Sequence, residues 1–195
     1  MNVAKDNEEM LNQKLKEFYE LKRNHPYHYQ EWVTSGELAD RCRKILNDVA
    51  LVIENILKEL GYGNGITVKV ARGASYYPKS PWIAILFSGE KVSNGVYPVV
   101  GFYGDVDGMF IGCVESVAND QNGFTERFCL ADDVAKHGHN DGLMSRYGFD
   151  KNPHIANQVA FFPSDMQVEI ESVIISLKQA IEVYKQYVIN RDEES

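Results

Sequence analysis

No stretch of 18 apolar residues occurs in this sequence; the densest apolar run, residues 49–53, is stopped by Glu54. A membrane-spanning helix is therefore not expected. The first nine residues are polar and acidic and lack the apolar core of a secretion signal. Cysteine is scarce: Cys42, Cys113 and Cys129 are three thiols at wide spacing. They fit neither a disulfide framework nor a zinc site, and they point to reduced thiols and a cytoplasmic location. Positive charge is also short. Against 28 Asp and Glu stand 20 Lys and Arg, a formal net charge of −8. A non-specific polyanion binder carries the opposite balance. The deficit is uneven, because residues 131–195 hold 6 basic and 11 acidic side chains while residues 61–130 hold 5 and 6. Any affinity for nucleic acid must then come from a local patch or a base pocket, not from global charge.

Catalytic signatures are missing too. There is no Gly-Lys-Ser or Gly-Lys-Thr phosphate loop, no Gly-x-Ser-x-Gly elbow and no His-Glu-x-x-His helix. The usual nuclease set, a proline-aspartate followed by an acidic-x-lysine triplet, is absent as well. His137 and His139 resemble a metal pair, with Asp132, Asp133 and Asp141 nearby, but nothing in the pattern fixes them as ligands, and a solvated loop is the simpler reading. Asp105 and Asp107 sit between Gly104 and Gly108 as hairpin-turn residues do. Cys113 lies in an apolar run and reads as a small buried side chain. The expectation is a chain without metal or cofactor that neither hydrolyses GTP or ATP nor cuts DNA.

What is present is a globular composition. The chain has 195 residues, 44% hydrophobic and 25% charged, enough for one domain with a real core over residues 1–195. Residues 4–23 follow helical spacing through Met10, Leu11, Leu15, Phe18 and Leu21 or Lys22. A second helix is expected over residues 36–60, with Thr34 and Glu37 as a capping box and Gly61 as the C-terminal cap. The period then changes to two. Strands are expected over 66–70, 82–87, 96–103 and 109–114, joined by short turns, which makes an antiparallel meander. Residues 115–165 are irregular, with Phe161 and Phe162 in a short apolar segment. A last helix is expected over 166–189, capped by Ser164 or Asp165. The fold class is thus α+β: a curved, mainly antiparallel sheet packed by N-terminal and C-terminal helices.

The middle third is aromatic. Tyr76, Tyr77, Trp82, Phe87, Tyr97, Phe102, Tyr103 and Phe110 fall within 35 residues. About half must be sheet core. Strand alternation separates the rest: if Ile83, Ile85 and Phe87 face the core, Trp82, Ala84 and Leu86 face away. An indole and a phenol at a loop-fringed sheet edge can sandwich a flat ring, with stacking worth about 1–3 kcal/mol per base. Arg72, Lys79, Lys91, Arg127 and Arg146 are the cations available to neutralise phosphates around such a pocket.

Three runs carry a resemblance. They are Pro81-Trp82-Ile-Ala-Ile-Leu-Phe, then Val92-Ser-Asn-Gly-Val-Tyr-Pro-Val-Val100, then Phe102-Tyr103-Gly-Asp-Val-Asp107. Together they resemble the N-terminal domain of the McrB subunit of McrBC-type, modification-dependent (type IV) restriction systems. The match runs ungapped from Val68 to about Ser116, and resumes at Arg146-Tyr147-Gly148 and in the final helix. The resemblance implies a cytoplasmic phage-defence role. It implies a domain that binds double-stranded DNA, flips a methyl- or hydroxymethyl-cytosine out of the duplex and holds it in an aromatic pocket. Motor and nuclease subunits, on the same or separate chains, are the implied partners.

Carried over residue by residue, Trp82 matches the family's pocket tryptophan, Tyr97 its strand tyrosine and Tyr147 its late pocket tyrosine. Of the cations named above, Arg72, Lys79 and Arg146 are expected to take the phosphate contacts. Two departures stand out. Ala74 occupies the place of a tyrosine that fills the gap left by the flipped base; Tyr76 and Tyr77, two and three residues later, are in reach of the same gap. Gly101 replaces a pocket leucine, which removes a side chain from the pocket wall and leaves room for a bulkier modification or weaker affinity. Residues 1–60 extend well beyond the family's short N-terminal helix, leaving 61–190 as the reader core. The alternative is a protein-interaction or scaffolding domain of the same fold that has lost base flipping, which the acidic balance and Ala74 both allow.

Overall fold

The computed structural model describes residues 3–25, 36–63, 65–70, 81–87, 91–92, 96–102, 108–115 and 155–193. The elements run α1 (Val3–Asn24), α2 (Glu37–Glu59), β1 (Ile66–Val70), β2 (Trp82–Phe87), β3 (Val96–Phe102), β4 (Gly108–Glu115), β5 (Ile155–Pro163) and α3 (Ile170–Glu193). The five strands form one sheet in the order β1-β2-β3-β4-β5, and every pair is antiparallel. The α+β expectation holds.

β5 was expected only as a short apolar segment. Its pairing with β4 is broken by register shifts between Ile111 and Gly112 and between Cys113 and Val114. Bulges of this kind interrupt the two-residue alternation by which a strand is legible. The last helix also starts later than expected. Residues 164–166 form a turn and 167–169 are irregular, and Ser164 accepts a hydrogen bond from Arg23 at 3.2 Å instead of capping the helix.

α2 follows its sequence closely at one end. Gly61 takes φ 86°, its amide donates to the Lys58 carbonyl at 3.0 Å, and the Tyr62 amide donates to the Leu57 carbonyl at 2.9 Å. That is a Schellman closure, and the left-handed conformation it needs is one glycine adopts without a Cβ penalty. The other end differs: Gly36 precedes the helix with φ 115° and there is no side-chain capping bond. Thr34 lies outside the described residues.

One buried cluster joins α1, α2, α3 and the inner face of the sheet. Phe18 of α1 packs on Phe102 of β3 with ring centroids 4.7 Å apart. Phe87 stacks on Tyr184 of α3 at 4.4 Å and 14°. Cys113 is buried and its thiol donates to the Ala180 carbonyl at 3.0 Å, as a small core residue rather than an exposed nucleophile. α1 departs from the expected stripe at Met10, which is 43% exposed; Leu21 and Lys22 are both buried, Lys22 to 1% exposure. Burial pushes the Lys22 ammonium down to about 8, against a smaller upward pull from Cys42. Among the described residues, no helix is long and apolar enough to cross a membrane.

Candidate modified-base pocket

Alternation along the strands sorts the sheet into two faces. Ile83, Ile85, Val96, Val100, Phe102, Met109, Ile111 and Cys113 join the helix-side core. Ala84, Leu86, Tyr97, Val99, Phe110 and Val114 form a second buried cluster on the opposite face, with Trp82, Val92 and Phe161 packed against it. The expected division of β2, with Trp82, Ala84 and Leu86 turned away from the helices, is what the structure shows.

Register builds this outer face into rows. Trp82 pairs with Gly101, Gly101 with Phe110, and Phe110 with Phe161, so one row crosses four strands with a glycine between aromatic neighbours. The next row is Ala84, Val99 and Gly112, all small or medium. Tyr97, opposite Val114, lies beyond it. The β2–β3 ladder runs from Trp82 to Ala84 and stops there, beside Pro98. A proline has no N–H to donate to a ladder.

Trp82 and Tyr97 meet across this low ground. Gly101, the strand partner of Trp82, is four positions from Tyr97, about 13 Å along β3 at the usual rise per residue. The indole nitrogen is buried, and it interacts with the Tyr97 phenol. Desolvation dominates the phenol and pushes it up to about 12; the indole contact pulls the other way. The Tyr97 hydroxyl also reaches the Val92 carbonyl, at a long 3.4 Å. The phenol is therefore neutral at physiological pH and can donate or accept. The face holds two flat rings, Trp82 half-buried and Tyr97 buried, with two polar groups in an otherwise apolar wall. That suits stacking and edge recognition of a flat ring better than acid–base chemistry.

The structure brings together three of the expected site residues: Trp82, Tyr97 and Gly101. Tyr147, Ala74, Tyr76, Tyr77, Arg72, Lys79 and Arg146 lie outside the described residues, as do Arg127, Asp105, Asp107, His137 and His139. Lys91 is exposed. Among the described residues, no group of three His, Cys, Asp or Glu could hold a metal ion. Gly101 needs correcting in one respect. The ring of Phe110 stands where a side chain on residue 101 would begin, with Cδ1 3.1 Å from the Cβ position. The room released by glycine is taken up by Phe110 rather than left open. Phe110 and Phe161 were not singled out as site residues. The alternation in β4 already placed Phe110 on the face opposite Met109 and Ile111; the bulged β5 carried no comparable signal.

No protein-family model matches the chain. A stretch of 55 residues is 34% identical to the type IV methyl-directed restriction enzyme EcoKMcrB subunit of Escherichia coli (strain K12). The similarity covers 28% of this chain and 12% of that subunit's length, so it is local.

Proposed function

We propose that the chain is the DNA-recognition module of a modification-dependent restriction system, and that it reads methyl- or hydroxymethyl-cytosine by flipping the base against the outer face of the sheet. The observation that carries this reading is that Trp82 packs into one cluster with Tyr97, Ala84 and Val99 on the sheet face remote from the helices. The local similarity to a methyl-directed restriction subunit supports the same direction.

In this reading Trp82 stacks on the extruded ring and Tyr97 supplies a neutral hydrogen-bonding edge. Tyr147 closes the sandwich. Tyr76 or Tyr77 fills the vacated place in the duplex, since Ala74 is too small to do so. Arg72, Lys79 and Arg146 hold phosphates and set the register without reading sequence. Extruding a base costs a few kcal/mol of unstacking, and stacking of about 1–3 kcal/mol together with edge hydrogen bonds offsets it. The module performs no hydrolysis; motor and nuclease parts act with it.

The test is a titration with one duplex sequence carrying cytosine, methylcytosine or hydroxymethylcytosine at a single position. Tighter binding to a modified duplex supports the proposal. Equal binding to all three, or none, points to an interaction domain that keeps the fold without base flipping.

A further inference from the structure

We infer that Phe110 is the specificity-determining residue of the outer-face pocket: it sets from β4 how large a substituent the pocket beside Trp82 accepts. This deepens the proposed reading of the same site and rests on it.

Gly101 lies between Trp82 and Phe110 in the sheet register. Side chains on two strands separated by one are about 10 Å apart at their roots, since neighbouring strands are about 4.8 Å apart. The far end of the Phe110 ring, Cε1 and Cζ, stands over Gly101, where a Cβ would be. The ring therefore leans from β4 across β3 towards β2 and Trp82, and it is 2% exposed. Trp82 and Phe110 belong to one cluster. A residue with a Cβ at position 101 would collide with this ring, so the two positions are coupled. Phe110 thus fills the place beside Trp82 that a larger substituent on the base would need. A sugar-bearing substituent does not fit unless Phe110 is shortened.

The experiment measures binding of the full chain to duplexes carrying cytosine, hydroxymethylcytosine or glucosylated hydroxymethylcytosine, with melting temperature as a control. Wild type is expected to favour hydroxymethylcytosine. Phe110→Leu should narrow that preference by roughly tenfold or more, the scale on which one or two carbons discriminate in an apolar pocket. Phe110→Met serves in its place if the leucine variant does not fold. Adding Gly101→Ala to Phe110→Leu should restore part of the preference, because the new methyl refills the space. Ile111→Ala, on the helix-side face of the same strand, should lower the melting temperature and leave the ratio unchanged. A folded Phe110 variant with the wild-type ratio overturns the inference alone, as does an Ile111→Ala ratio that shifts equally. A wild type indifferent to any modification overturns the proposed function and this inference together.

Discussion

The carboxylate of Glu8 in α1 accepts a hydrogen bond from the Ile170 amide at 3.1 Å, so one helix caps the start of another that lies 162 residues away in sequence. Asn12 adds two bonds to the backbone of Val168: its side-chain oxygen accepts at 2.7 Å and its amide donates at 2.8 Å. The orphan amides at a helix start need such partners. The N-terminal helices are thereby part of the core rather than an appendage to it.

Removing these caps should therefore cost stability and nothing else. Glu8→Ala is expected to lose about 0.5–2 kcal/mol, the range for a lost helix cap. Asn12→Ala is expected to lose about 1–3 kcal/mol, since it strips partners from two backbone groups. Denaturant melts check both values. Neither variant should alter the ratio of affinities for modified and unmodified DNA; a shifted ratio would place the N-terminal helices in the DNA interface.

Trp82→Ala should lower affinity for the modified duplex by roughly 5- to 150-fold, equivalent to about 1–3 kcal/mol, and erase the preference for the modified base. Trp82 begins β2 and is half-buried, so most of the fold should survive. Calorimetric melting decides whether this is a site residue or a core residue. A loss of about 3–5 kcal/mol in stability, with the preference unchanged in what stays folded, is what a core residue would give.

Lys79→Ala should weaken all duplexes alike, because a phosphate contact carries no sequence information. The salt dependence of wild-type binding should be shallow: each phosphate contact adds roughly 0.9 to the logarithmic slope, and the middle third holds few cations. A slope near that of a strongly basic repressor would move the interface elsewhere.

Lys22 predicts a pH signature. Its ammonium falls from an ordinary value of 10.5 to about 8 in the folded chain. Between those values the unfolded state binds more protons, so the Lys22 contribution to stability rises with pH and is lost as pH falls through about 8. Cys42, pushed up to about 11 by burial, acts in the opposite sense above about pH 9, and Tyr97, pushed up to about 12, above about pH 10. The rise should therefore show best between about pH 8 and 9. Lys22→Met should flatten it; an equal rise in that variant, by chemical denaturation across this range, would contradict the assignment.

Much of this fold was legible because its periodicities are clean. The α2 stripe, the Gly61 closure and the alternation of β2 can be read from residue spacing. β5 could not be: its bulged pairing with β4 breaks the period of two. The α3 start was misplaced because its cap comes from Glu8, on another helix, and no local pattern records a partner that distant. In the candidate site, Trp82 and Tyr97 can be read from the sequence as aromatics near the ends of two neighbouring strands. Phe110 cannot be, because its role follows from what Gly101 lacks on the neighbouring strand. That relation belongs to the register and not to either segment alone.

The central claim is that a modified cytosine stacks on Trp82, and indole fluorescence tests it directly. The chain has two tryptophans, so Trp32→Phe leaves Trp82 as the single emitter. Titration with a duplex carrying one methylcytosine should quench that emission in step with binding, and the same duplex with cytosine should quench it far less. Binding that leaves the Trp82 emission unchanged, or equal quenching by both duplexes, would contradict the account.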